Sequence, residues 1–204
     1  LTRQQEDSYR AELGDEYTPI CYAEELPPSN CHSYTLTNCE GAIITSHGVN
    51  VTLRDNGYKQ LLTGRVGTAP DLSSLNSRRL QVGNVVIYYL DNMKETSNGY
   101  VYSTDSKSVG NEIEPTTVGP DGRRNRDSDV VTATDRPFIM HSGYVSRFEN
   151  GKIYVISKHG NHGLYESEIS EIPRDFGSNY AMYSTNREKG RILSEDPNRT
   201  CLLY

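Results

Sequence analysis

The sequence predicts an α+β domain: a short helix opening on a cysteine, packed on an antiparallel sheet, with a long irregular insertion. Three stretches of the 204 residues carry that expectation. Residues 27–34, Pro-Pro-Ser-Asn-Cys-His-Ser-Tyr, form a proline-stopped loop running into a helix start. Residues 80–90 are a continuous β-branched and aromatic run bounded by turn residues. Residues 138–158 hold two apolar runs separated by Glu149-Asn150-Gly151, and Asn-Gly between apolar runs marks a hairpin.

In chain order, residues 1–26 are polar with apolar punctuation at Leu13, Tyr17, Ile20 and Tyr22. They read as a flank, a short amphipathic helix and then an extended approach to the Pro-Pro turn. From Cys31 a helix is expected to about Asn38, with Gly41 placed to stop it. Residues 42–45 read as extended. Residues 46–79 are rich in Gly, Asn, Ser and Asp, with one helix expected around Asn56 to Leu62. Residues 80–90 should form a central strand covered on both faces. The polar stretch 91–137 reads as an irregular insertion over a cleft, extended only at Tyr100-Val101-Tyr102, because loops this long are uncommon without a function. Tyr180 to Ser184 is one more candidate strand. The whole chain, 1–204, reads as a single domain.

Composition bounds the function. Hydrophobic content of 34% and 24% charged residues describe a soluble globular chain, and 15 Tyr against 3 Phe and no Trp suggest clefts lined by amphipathic rings. With 27 acidic and 21 basic groups the net charge is −6, which argues against a nucleic-acid partner held by its phosphates. The basic run Arg123-Arg124-Asn125-Arg126 sits among aspartates and reads as a solvated loop. No apolar stretch approaches the roughly 20 residues of a membrane span. Because the chain opens on Leu1 rather than Met, it is expected to be an excised domain or a processed product, which leaves localisation open. The four cysteines, Cys21, Cys31, Cys39 and Cys201, make no C-x-x-C pair; Cys21 with Cys39 could bridge in an oxidising compartment, and free thiols in a cytosolic protein fit the pattern at least as well.

The chemistry centres on Cys31. Ser29 or Asn30 is a natural N-cap, so Cys31 falls where unpaired backbone N–H groups favour thiolate over thiol. A cysteine nucleophile needs a base and a group to orient it. His141, in the first strand of the hairpin beside the small Ser142-Gly143 pair, is the expected base, the small neighbours leaving room for substrate. His159 is the expected orienter, with Asn161 and Ser157 in reserve. That choice depends on register: a three-residue loop with a bulge at Gly151 sets His141 opposite His159, whereas a two-residue Asn150-Gly151 turn sets Gly160 there. Asn30 and Ser142 are expected to contribute to substrate binding. The His32 backbone N–H is placed as an oxyanion-hole donor, while its ring reads as a helix-surface group.

Asn30-Cys31-His32-Ser33-Tyr34, the Gly83-Asn84-Val85-Val86-Ile87-Tyr88 strand, His141-Ser142-Gly143-Tyr144-Val145 and Ser157-Lys158-His159-Gly160 occur in an order that resembles papain-like peptidases of the NlpC and CHAP type. The resemblance covers about residues 27–165. It implies a nucleophile helix on an antiparallel sheet, a Cys-His-polar triad without cofactor or metal, and cleavage of amide bonds, often in peptidoglycan peptides. Related papain-like toxins deamidate or cleave proteins instead. A secreted bacterial effector or toxin domain with a cognate inhibitor or immunity protein would fit that resemblance. The sequence departs from it at Asn84, where the family usually has Asp, in the long insertion, and in the spacing of His159 from His141. Two other classes draw on the same residues: a metal site built from Cys31, His32, His141, His159 and His162, and a non-catalytic binding module.

Overall fold

The structure, a computed structural model, describes residues 1–37, 43–73, 80–96, 99–102, 117–118, 124–125 and 137–184. It is an α+β arrangement in which an antiparallel sheet carries a few short helices. Helix α1 (Arg3–Leu13) starts on a capping box, in which Thr2 and Gln5 satisfy each other's backbone N–H, and Gly14 at φ 94° ends it. Strand β1 (Thr18–Cys21) follows, then α2 (Cys31–Thr37), α3 (Ser46–Asp55) and β2 (Lys59–Arg65). The remaining strands are β3 (Val85–Thr96), β4 (Gly99–Tyr102), β5 (Thr117–Val118), β6 (Arg124–Asn125), β7 (Pro137–Glu149), β8 (Lys152–Lys158), β9 (Leu164–Glu168) and β10 (Asn179–Ser184).

The main path of the sheet is β1-β9-β8-β7-β3-β4-β5-β6, and β10 joins β3 to β2. Strand β3 is therefore central, flanked by β7 and β10. Alternation along the strands sorts two apolar faces. One face gathers Val86, Tyr88, Val145, Ile153, Val155, Tyr180 and Met182 under the segment carrying Ile169, Ile172 and Phe176. The other receives the helices. Tyr34 of α2 packs with Tyr144, Ile156 and Leu164, and Val49 and Leu53 of α3 pack with Val85, Ile87 and Ile139.

Three expectations change. The strand expected at 80–90 begins at Val85, because Gly83 at φ 91° makes a turn, and it runs on to Thr96. The helix expected near Asn56–Leu62 is displaced to Ser46–Asp55, with Gly57 (φ 67°) ending it and β2 following. Thr45 takes the cap position, its hydroxyl accepting from the Gly48 N–H, and Val49 and Leu53, four apart, form the buried stripe. Of the expected insertion, the described residues are strands, Tyr100–Tyr102 included; the rest, like the Cys39 and Cys201 positions, lies outside the described residues. No helix among the described residues is long and apolar enough to cross a membrane.

The hairpin resolves the register question by a route neither alternative contained. Asn150 (φ 50°) and Gly151 (φ 76°) both take left-handed backbone, making a two-residue turn that sets Glu149 opposite Lys152. An extra residue, Ser146, then bulges between Val145 and Arg147, so that Gly143 faces Ser157. Continued two residues further, that register brings His141 beside His159, and their ring centroids lie 5.7 Å apart.

Candidate active site

The loop before α2 is built by Asn30. Its side-chain oxygen accepts from the Ser33 backbone N–H and hydroxyl, both at 2.8 Å, and its amide donates to the Ile44 carbonyl at 2.7 Å. Asn30 is thus the N-cap, and it ties the helix start to the approach to α3. Ser29 instead bonds back to the Pro27 carbonyl.

Cys31 occupies the first position of α2 and is only 9% exposed. Burial pushes its thiol up to about 11, against the opposing pull of backbone hydrogen bonds from Ser142, His32 and Cys31 itself and of the Lys158 charge. Hydrogen bonds that lower a thiol's pKa are those donated to the sulfur, so these backbone N–H groups aim at Sγ. The expectation of a standing thiolate is corrected here. Desolvation outweighs the helix end, since a helix of two turns gathers few aligned peptide dipoles.

The imidazole beside Cys31 is that of His32. Its Nδ1 stands 3.7 Å from Cys31 Sγ and 2.8 Å from Ser142 Oγ. Burial lowers its pKa to about 4, and a hydrogen bond to the Ile139 backbone pulls the other way. A bond that favours the protonated ring is one the ring donates, so the Ile139 carbonyl orients a neutral imidazole whose lone pair remains for a hydroxyl or thiol. The ring is buried between α2 and β7, so its expected place on the helix surface is corrected too.

His141 is placed differently. Its ring stacks on Phe176 (4.2 Å between centroids) and lies near Tyr88 and His159, on the sheet face away from α2. The structure brings His141 and His159 together and does not bring either to Cys31. Strand parity is the reason. Ser142 and Tyr144 point to α2, and their neighbour His141 must point away. Both His141 and Ser142 were expected at one site, and alternation allows only one of them.

His159 is 1% exposed. Its Nδ1 pairs with Tyr9 Oη of α1 at 2.9 Å; burial, with a further push from His162, lowers its pKa to about 3. No hydrogen bond joins it to His141, and the Nε2 atoms of both rings are buried without a partner. Ser157 sits opposite Gly143, and Asn161 in the β8–β9 turn is exposed; neither bonds to His141.

Lys158 is the residue the sequence did not single out. Strand parity turns it to the Cys31 face, and its ammonium donates to the Gly160 and His162 carbonyls at 2.5 and 3.2 Å. A cavity of about 530 Å³ opens beside it, lined by Pro27, Pro28, Ser29, Ile43, Lys158 and Asn161 among others. The parity of Ser157-Lys158-His159 was the signal available in the sequence.

Among the described residues no three His, Cys, Asp or Glu side chains are grouped to share a metal ion. Compared with protein-family models, curated proteins and solved structures, the chain matches none.

Proposed function

We propose that this chain is a cysteine hydrolase that cleaves amide bonds through a thioester on Cys31, in a papain-like arrangement of nucleophile helix and antiparallel sheet. The observation that carries the reading is the contact of Cys31 Sγ with His32 Nδ1 at 3.7 Å, with His32 held by Ile139 and Ser142. The roles follow from neutral starting states. Sγ attacks the substrate carbonyl as its proton passes to His32 Nδ1, which a neutral imidazole can accept. The Cys31 and His32 backbone N–H groups, which aim at Sγ in the resting site, are the donors assigned to the developing oxyanion. His32 returns the proton to the departing amine, and water hydrolyses the thioester. The raised thiol pKa means that activation accompanies attack and does not precede it.

The cavity edged by the two prolines, Glu24 and Lys158 opens on the loop that leads to Cys31 and offers an extended peptide one group of each charge, consistent with peptidoglycan peptides or a protein segment carrying a side-chain amide. A second reading, a non-catalytic binding module, is favoured by the burial of the thiol. Incubation with purified sacculi and with glutamine-containing proteins separates them. The hydrolase releases new amines or ammonia and loses that activity in Cys31→Ala. Release undiminished in Cys31→Ala, or no release from any amide, refutes the hydrolase.

A further inference from the structure

The histidine face of the sheet holds a second cavity, of about 520 Å³, which meets the first at Leu1 and Asn161 and has no part in the chemistry proposed for Cys31. It lies where α1 crosses the β8–β9 turn and the short 3-10 segment Arg174–Phe176. Its walls are aromatic. Tyr9 stacks on His162 with ring centroids 3.7 Å apart and planes 13° from parallel, and Phe176 meets His159 edge-on at 5.0 Å.

Two carboxylates, Glu12 and Asp175, belong to the lining; burial is the main cause that raises the Tyr9 pKa, and both carboxylates add to it through their charge. They therefore act on the same atom from two elements, one on α1 and one on the 3-10 segment. Burial keeps His159 and His162 below the ordinary imidazole value, so the imidazoles bring no positive charge at neutral pH to offset them. Of the nearby cations, Lys158 is turned to the other side of the sheet and held by the Gly160 and His162 carbonyls, while the α-ammonium of Leu1 stands at the cavity edge near His162 and offsets one of the two carboxylates. At the floor is His159, buried, with Nε2 lacking any partner while Nδ1 is engaged by Tyr9. Buried polar atoms are rarely left unpaired in a folded chain, and those that are commonly mark a site that takes a ligand or water.

We propose that this cavity binds an organic cation: a protonated amine on a flat or apolar body, seated between Tyr9 and Phe176 with its charge towards Glu12 and Asp175. The two carboxylates attract that charge, the aromatic walls, stacked on His162 and His141, cover the apolar body, and the volume lies within the range of small-molecule pockets. A neutral or anionic ligand of the same shape lacks the charge attraction.

The test is a calorimetric titration of the whole chain with phenethylammonium, repeated with phenylacetate, while NMR follows the ring protons of His159 and His162. Saturable binding of phenethylammonium that shifts those ring signals, with no binding of phenylacetate, is expected. Glu12 and Asp175 are both exposed, so the double variant Glu12→Gln/Asp175→Asn keeps the fold; it should weaken binding roughly tenfold or more. Absence of binding, equal binding of phenylacetate, or an unchanged affinity in the double variant overturns the proposal.

Discussion

Acid should unfold this protein early, in a pH range where carboxylates are still ionised. Three imidazoles, His32, His141 and His159, are buried and held neutral, with pKa values lowered from 6.5 to about 4 for His32, well below 6.5 for His141, and about 3 for His159. In the unfolded chain each titrates near its ordinary value. Above pH 6.5 both states are neutral and no stability is at stake. As pH falls below that value the unfolded state binds protons that the folded state refuses, and stability drops until the folded pKa is reached. At pH 5 the His32 and His159 rings have each cost about 2 kcal/mol, about 4 kcal/mol together, and His141 adds to the loss in the same direction. A domain of this size has only about 5–15 kcal/mol in total. Urea unfolding followed by far-ultraviolet circular dichroism at pH 7, 6 and 5 measures the loss. His159→Phe keeps the ring packing on Phe176 and Tyr165 and removes one titrating group. It should be less stable at pH 7 through the lost Tyr9 hydrogen bond, yet lose about 2 kcal/mol less between pH 7 and 5. Equal stability of the wild type at pH 7 and 5, or an unchanged pH slope in the variant, would refute the burial argument.

Other consequences are local. Asn30→Ala removes the cap from Ser33 and the tie to Ile44; it should cost about 1–2 kcal/mol in chemical denaturation and lower any Cys31-dependent activity with it. Gly163→Ala would set a Cβ 1.9 Å from the Cys21 carbonyl oxygen and 2.6 Å from Glu6 Oε1. Backbone cannot yield as a flexible side chain does, so a loss of about 3 kcal/mol or more is expected by the same assay. The Cys31 thiol, pushed up to about 11, should alkylate with iodoacetamide more slowly at pH 7.5 than in urea-unfolded protein, and accelerate steeply above pH 9. A native-state rate at pH 7.5 exceeding the unfolded one would show a standing thiolate instead.

Much of the site was legible because it is local. The Asn30 cap and the helix opening on Cys31 depend on a few neighbouring residues, and so does the Asn150-Gly151 turn. The strands at 85–90, 138–148 and 152–158 show themselves by β-branched and aromatic runs. What stayed hidden is how these pieces face one another. The bulge at Ser146 alters the register without a glycine or proline to announce it, and a single-residue slip exchanges the two faces of a strand. Hairpin position and small neighbours point to His141, yet Ser142 is the β7 residue that meets α2. His32 reads from the sequence as a helix-surface group. At the first turn of α2 its ring nevertheless folds back towards Cys31 and the Ile139 carbonyl. Helix α3 was missed because its stripe of two apolar residues lies within a segment whose Gly and Asn content reads as loop.

The central claim is that Cys31 attacks with His32, and not His141, as its base. Acyl transfer from p-nitrophenyl acetate, followed by release of nitrophenolate and by mass spectrometry of the modified peptide, tests it without knowledge of the natural substrate. Acetyl should appear on Cys31, at a rate that falls about a hundredfold in His32→Gln and changes little in His141→Gln, with circular dichroism confirming that both variants fold. No acetylation of Cys31, or a folded His32→Gln that acylates at the wild-type rate while His141→Gln does not, would contradict it.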